Sequence, residues 1–234
     1  MELSITLIII IVTTLVSLGA FSSQKMMDDL IFYPPAVSQQ KQWWRFFTCG
    51  FIHADFGHLI FNMLALYLFG QGSKIDTPAG IIHTGVEYKF AEIFGPAGKL
   101  LYLAMYLLAL IASLIPTYAK NKNNYYYRSL GASGAVSAVV FSKILFDPIT
   151  GIGLFFIPVY IAGFLFAAIY LIVSGLLQRK GGTNINHSAH IFGGIFGLLF
   201  TIILFQFFSD FPILTYFIDQ IKNMNPKDII QYGA

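Results

Sequence analysis

Cysteine is nearly absent from the 234-residue chain; Cys49 is its one copy. A lone thiol excludes an intramolecular disulfide framework and any cysteine-rich metal site. Charge is scarce too. Lys, Arg, Asp and Glu make up 11% of residues, against about 25% in a soluble domain. That leaves too little polar surface to cover a fold in water, so the chain reads as an integral membrane protein. The net charge is only +3 and the basic residues are scattered, which argues against a nucleic-acid surface. No histidine is followed by glutamate, so the helical H-E-x-x-H zinc signature is missing and no metal is expected. No internal repeat is visible, which weighs against a repeat-built transporter.

What is present is apolar. The chain is 56% hydrophobic and 17% aromatic, with a mean hydropathy of +0.70. A membrane span needs about 20 mostly apolar residues. Six segments approach this: about 3–21, 56–73, 98–118, 131–146, 152–177 and 187–208. The expected fold is therefore an all-α polytopic bundle of six transmembrane helices. It forms one domain over residues 1–234, with a tail at 209–234 on the surface. The first segment has no Lys or Arg before its apolar run, so it reads as a retained helix and not as a signal peptide. Pro158 is expected to bend the fifth span near one end. The fourth span is short. A short helix starting at depth needs the preceding loop to be buried in protein or to line a wet cavity.

The first loop, 22–55, carries Trp43, Trp44 and Arg45, residue types that suit a membrane–water interface. Charge bias is a poor guide to orientation. With the N-terminus inside, six Lys/Arg fall on inner segments and eight on outer ones, a slight lean towards the opposite orientation.

Polar groups within spans are costly and mark function. The fourth and sixth spans hold no Asp or Glu. Polar side chains gather at three places instead. "FIHADFGHLIFNML" supplies His53, His58 and Asn62; "GASGAVS" supplies Ser133 and Ser137; "NINHSAHIFGGIFG" supplies His187 and His190. His58 and Asn62, four apart, share a helix face. Interhelical hydrogen bonding alone would account for one such group, but less readily for three in ten residues. Gly193, Gly194 and Gly197 lie on the face of His190. Gly131, Gly134, Ala135 and Ala138 offer a matching small-residue surface on the fourth span, so the two helices can approach closely. Close approach would bring Ser133 to His190, as a serine nucleophile and its imidazole base require. His187 is the rival base, but its place beside a polar turn reads as a solvated loop position. Asp55 is the one acid close in sequence to these groups and sits at a loop edge, so a Ser–His dyad is expected, not a triad. An apolar surround disfavours charged imidazole, which leaves the base neutral and able to accept a proton. The Ser133 backbone N–H, Asn62 and His58 could stabilise an oxyanion.

Together, "WWRFFTCGFIHADFGHLIFN", "GASGA" and "AHIFGGIFG" resemble the rhomboid intramembrane serine proteases over about residues 40–208. G-x-S-G alone is weak. Joined to H-x4-H-x3-N upstream and A-H-x2-G-x3-G downstream, it is specific. Trp44–Arg45 of the first loop and the segment containing Glu87 match as well. The resemblance implies Ser133 as nucleophile and His190 as general base. His58, Asn62 and the Ser133 N–H would form the oxyanion site. His53 would be structural, Gly131 and Gly134 would shape the nucleophile turn, and Gly193 and Gly197 would let span six pack on span four. It further implies cytoplasmic termini and a water-filled cavity. The partners would be the lipid bilayer and transmembrane protein substrates, with no cofactor. A bacterial inner membrane is the expected host. An inactive rhomboid-like protein that binds or retains membrane clients is the alternative, though such proteins lose the serine or the histidine.

Two departures stand out. Some members carry a tyrosine four residues after the nucleophile, stacked on the histidine ring. Here that position is Ser137, so the imidazole must be held otherwise, a neighbouring aromatic being the candidate. Residues 74–86 look like an insertion, with His83 on the surface. The fifth span, with Phe155, Phe156, Phe164 and Phe166 and the following Gly181–Gly182 turn, is the expected lateral gate for substrates.

Overall fold

A computed structural model describes residues 4–77, 80–153, 158–182 and 185–232. The chain begins with helix α1 (Ile5–Phe21), capped by the Ser4 hydroxyl. The first loop folds into α2 (Gln24–Leu30), α3 (Pro34–Gln40) and α4 (Arg45–Thr48), the last running into a 3-10 turn, Cys49–Phe51. Next comes α5 (Phe56–Leu66), which ends in a π turn, Tyr67–Gln71. A hairpin of β1 (Lys74–Thr77) and β2 (Gly80–His83) leads to α6 (Val86–Phe94) and the long α7 (Pro96–Asn121). Then follow α8 (Ser133–Phe146), β3 (Gly151–Gly153), β4 (Val159–Ala162), α9 (Gly163–Lys180) and α10 (His187–Phe208). The chain closes with α11 (Ile213–Lys222) and β5 (Ile230–Tyr232).

Burial is inverted relative to a water-soluble helix. On α1, Thr6, Thr13 and Ser17 face inward, while Ile8, Ile11, Val12, Leu15 and Leu18 are exposed. Lipid makes that distribution favourable: apolar side chains need no shelter there, and small hydroxyl residues let helices meet closely. α7, α9 and α10 are each long and apolar enough to cross a membrane. A fourth span arises if Arg45–Phe51 and Phe56–Gln71, bent by 97° at their break, are taken as one. α1 and α8 are apolar but shorter. The protein is thus a mostly helical integral membrane protein.

α8 sits at the centre. All its residues except Ser133 and Val140 are buried, which explains how so short an apolar helix is stable: protein, not lipid, surrounds it. Around it lies an aromatic core in which Phe90, Phe146 and Phe205 meet edge to face. Such contacts are worth about 0.5–1.5 kcal/mol each beyond the area they bury.

The structure corrects the sequence reading at several points. The fold is not purely α-helical, since it also carries the β1–β2 hairpin and a three-stranded sheet in the order β3-β4-β5. The fifth helix begins at Gly163, not near 152. Gly151 and Gly153 are poor helix formers, Pro158 cannot continue an i→i−4 ladder, and Val159 and Ile161 favour an extended chain. Phe155 and Phe156 lie outside the described residues. The tail is partly built into the fold, because β5 pairs with β4 and Gln231 donates to the Ile149 carbonyl at 3.0 Å. Arg45 is not an interface cation. It is buried and donates to the carbonyls of Asp28 and Ile31 and to Gln42, which ties the first loop together. Trp43 and Trp44 are exposed. His83 is half-buried and stacks on Tyr88 with 4.0 Å between ring centroids. Glu87 is fully buried, and its two carboxylate oxygens accept the N–H groups of Ile5 and Thr6 at 2.8 Å each. A carboxylate suits a helix N-terminus, where backbone donors lack intrahelical partners.

Candidate active site

The site starts from the loop that precedes α8. The backbone of Ser129 pairs with that of Phe32 in both directions, and the Gly131 N–H donates to the Cys49 carbonyl at 2.9 Å. These bonds satisfy irregular backbone that lies among the helices, which a bilayer would otherwise penalise. Gly131 has φ +111, a conformation that favours glycine, and the His58 ring occupies the space a side chain would fill. Ala132 then caps α8, and Ser133 is its first helical residue.

α10 approaches from the other side. A Cβ at Gly193 would collide with the Gly134 carbonyl and one at Gly197 with the Ala138 backbone, while one at Gly194 would crowd the Phe141 ring. The small residues are thus what allows two backbones to lie almost in contact. That approach carries His190 to the start of α8, where its Nε2 lies 2.7 Å from Ser133 Oγ. Both residues are half-buried and line one open cavity of about 2140 Å³. The cavity also reaches His58, Asn62, Phe166 and Tyr170.

The remaining predicted residues fall into distinct places. His58 and Asn62 are both on α5, and the Asn62 amide donates to the His58 carbonyl at 2.9 Å. Asp55 caps α5 by accepting the His58 N–H at 2.7 Å. His53 is fully buried. Its Nδ1 lies 2.9 Å from Ser17 Oγ, which itself donates to the Phe51 carbonyl. Nε2 accepts the Ala132 N–H at 3.4 Å. This network assigns the His53 proton to Nδ1 and links α1 to the turn carrying Ser133. Trp44 and Arg45 belong to the first loop. His187 corrects the sequence reading: it is buried in the first turn of α10, not a solvated loop residue, and its ring meets that of His190 edge to face at 6.0 Å.

Two residues at the site were missed. Asn186 caps α10 by accepting the Ala189 N–H at 3.1 Å, and it also bonds Thr117 and Ser129. An asparagine just before an apolar run is an N-cap signal, and it was available in the sequence. Tyr170 on α9 lies over the His190 ring, with centroids 6.2 Å apart and an interplanar angle of 16°. No spacing rule connects a residue on the fifth span to one on the sixth.

A donor and acceptor arranged like Ser133 and His190 can generate an alkoxide-like nucleophile, the imidazole taking the hydroxyl proton. The comparisons with known proteins agree in family. The chain is 32% identical over 160 residues to the RHOMBOID-like protein 12, mitochondrial, of Arabidopsis thaliana, covering 62% of this chain and 42% of the relative. It is 30% identical over 163 residues to the Rhomboid-related protein 1 of Caenorhabditis elegans, covering 67% and 38%. It is 27% identical over 176 residues to the YdcA protein of Bacillus subtilis (strain 168), provisionally named a rhomboid protease, covering 70% and 69%. The match thus spans about two fifths of the length of the two eukaryotic relatives. A family model described as the Rhomboid domain matches residues 40–207, which include both Ser133 and His190, and the chain belongs to the rhomboid family.

Proposed function

We propose that the protein is an intramembrane serine endopeptidase that cleaves transmembrane segments of other proteins with a Ser133–His190 dyad. The observation that carries this reading is the 2.7 Å approach of His190 Nε2 to Ser133 Oγ at an open cavity inside a membrane bundle. His190 takes the hydroxyl proton while Ser133 Oγ bonds to the scissile carbonyl carbon. The carbonyl oxygen becomes an oxyanion, stabilised by the Ser133 N–H, Asn62 and His58. Collapse breaks the C–N bond, and His190 gives its proton to the departing amine. A water molecule, deprotonated by His190, then attacks the acyl ester and releases Ser133. The Ser133 N–H suits its part because first-turn N–H groups of a helix have no intrahelical acceptor.

In this reading α1 and α8 complete a six-helix arrangement, and a substrate helix enters sideways past α9. The host is read as a bacterial plasma membrane; a relative from Bacillus subtilis is consistent with it, the mitochondrial Arabidopsis thaliana relative points to an organelle instead, and membrane fractionation of the source cells decides between them.

The test is incubation of the purified protein in detergent with a panel of transmembrane substrates and a fluorophosphonate probe. Wild type should cleave and take the label. Ser133→Ala and His190→Ala should each abolish cleavage, with the double variant no worse than either, because residues acting as one unit are non-additive. His187→Ala should retain most activity. Labelling that persists in Ser133→Ala would refute the assignment. Client binding without cleavage by wild type would favour an inactive, client-retaining protein instead.

A further inference from the structure

His190 needs more than a partner for its Nε2. An imidazole that serves as a base must be held so that one lone pair points at the hydroxyl through both proton transfers. Ser137, one turn below Ser133 on α8, is too small to cover the ring. What covers it comes from α9. Tyr170 lies nearly parallel to His190, at 6.2 Å and 16°, within the 4.5–7 Å range of offset stacking. Tyr170 is itself fixed in two ways. Its hydroxyl lies 2.9 Å from Ser137 Oγ. Its ring meets the buried Phe141 edge to face at 5.6 Å and stacks on Phe166 at 5.9 Å. Phe141 in turn is packed against Gly194 of α10. The small side chain at 137 is therefore one half of an arrangement: it leaves room for a tyrosine from the neighbouring helix and bonds its hydroxyl.

We infer that Tyr170 is the positioning residue for the His190 imidazole, its ring held mainly by packing against Phe141 and Phe166 and secondarily by its hydroxyl contact with Ser137. This rests on the reading of Ser133 and His190 as a catalytic pair, while the contact itself can be measured without activity. Tyr170 does not touch the reacting atoms. It acts by restricting the orientations of the ring that does.

The experiment uses the full chain in detergent micelles. In wild type labelled at histidine and tyrosine rings, NMR should show a nuclear Overhauser contact between Tyr170 and His190; its absence overturns the inference whatever the activity. Tyr170→Leu should displace the His190 ring resonance. It should lower kcat roughly three- to tenfold, as expected for loss of one aromatic pair, with KM nearly unchanged. Tyr170→Phe keeps the ring and should keep most of the rate. The double exchange Tyr170→Ala with Ser137→Tyr places an aromatic ring on α8 instead and should recover much of the lost kcat. A folded Tyr170→Leu with unchanged kcat overturns the proposal, as does a loss that appears only in KM. If Tyr170→Leu fails to fold, Tyr170→Phe and the double exchange decide: the proposal stands if both hold the His190 resonance and falls if either releases it. Absence of Ser133-dependent cleavage by wild type sinks the protease reading alone, since the ring contact is read separately.

Discussion

Replacing Gly131 by alanine tests the turn that delivers Ser133. Gly131 has φ +111, and a Cβ there would lie 2.6 Å from His58 Cε1, where ordinary contact begins at 3.4 Å. The ring or the loop must give by most of an ångström. Gly95 is the matched control, with φ +58 and nothing within 4 Å of an added Cβ. Both positions hold a positive φ, Gly95 with ψ −137, so a side chain at either incurs a backbone penalty of about 1–3 kcal/mol. The first adds overpacking against His58, about 1–3 kcal/mol more. At about 2–4 °C per kcal/mol for a chain of this size, Gly95→Ala should lower the apparent Tm by roughly 2–12 °C, and the clash with His58 should lower that of Gly131→Ala by roughly 2–12 °C more. Thermal unfolding in one mild detergent, followed by circular dichroism, reads both. Below its Tm, Gly131→Ala should also lose turnover by about 10², the usual consequence of misplacing a reacting group by about 1 Å; Gly95→Ala should not. If the two variants melt together, or if folded Gly131→Ala turns over like wild type, the clash with His58 does not govern this turn.

Three other outcomes follow from the same structure. Glu87→Gln faces an amide NH2 towards one of the two N–H donors of α1, so it should cost about 1–3 kcal/mol of stability while leaving cleavage at low temperature intact; an unchanged melt would mean that the carboxylate does not anchor α1. Asn62→Ala should lower turnover by about 10²–10³ without changing substrate affinity, and a collapse of affinity with turnover intact would make Asn62 a binding residue. Phe166, which lines the cavity and stacks on Tyr170, is the gate phenylalanine to test: Phe166→Ala should raise the ratio of long-substrate to short-peptide cleavage and lower the Tm, whereas an unchanged ratio would remove it from the gate.

The membrane character of the chain was decided by composition, because 11% charged residues cannot cover a water-soluble fold. The pairing of Ser133 with His190 was also legible, because small residues at Gly134, Ala138, Gly193 and Gly197 recur at helical spacing and announce a close helix contact. The caps were legible but went unread: Asp55 and Asn186 sit where a helix needs an acceptor for its first N–H groups. What the sequence left open depends on contacts between distant segments. Spans alike in hydropathy carry no record of which is central, so the enclosure of α8 came only from the packed bundle, although its short length was already visible in the sequence. The extended start of the fifth segment was hidden because a run of Gly, Ile, Val and Tyr reads as apolar whether it forms strand or helix, and pairing with β5 some seventy residues later holds it extended. Arg45 looked like an interface cation until the carbonyls of Asp28 and Ile31, which it binds, were placed by the fold of the first loop. The cover over His190 is the sharpest case. Ser137 showed that the ring was not held from α8, but nothing in the order of residues could point to Tyr170, because the rotation of α9 about its own axis is set by side-chain packing between helices and not by the sequence of either one.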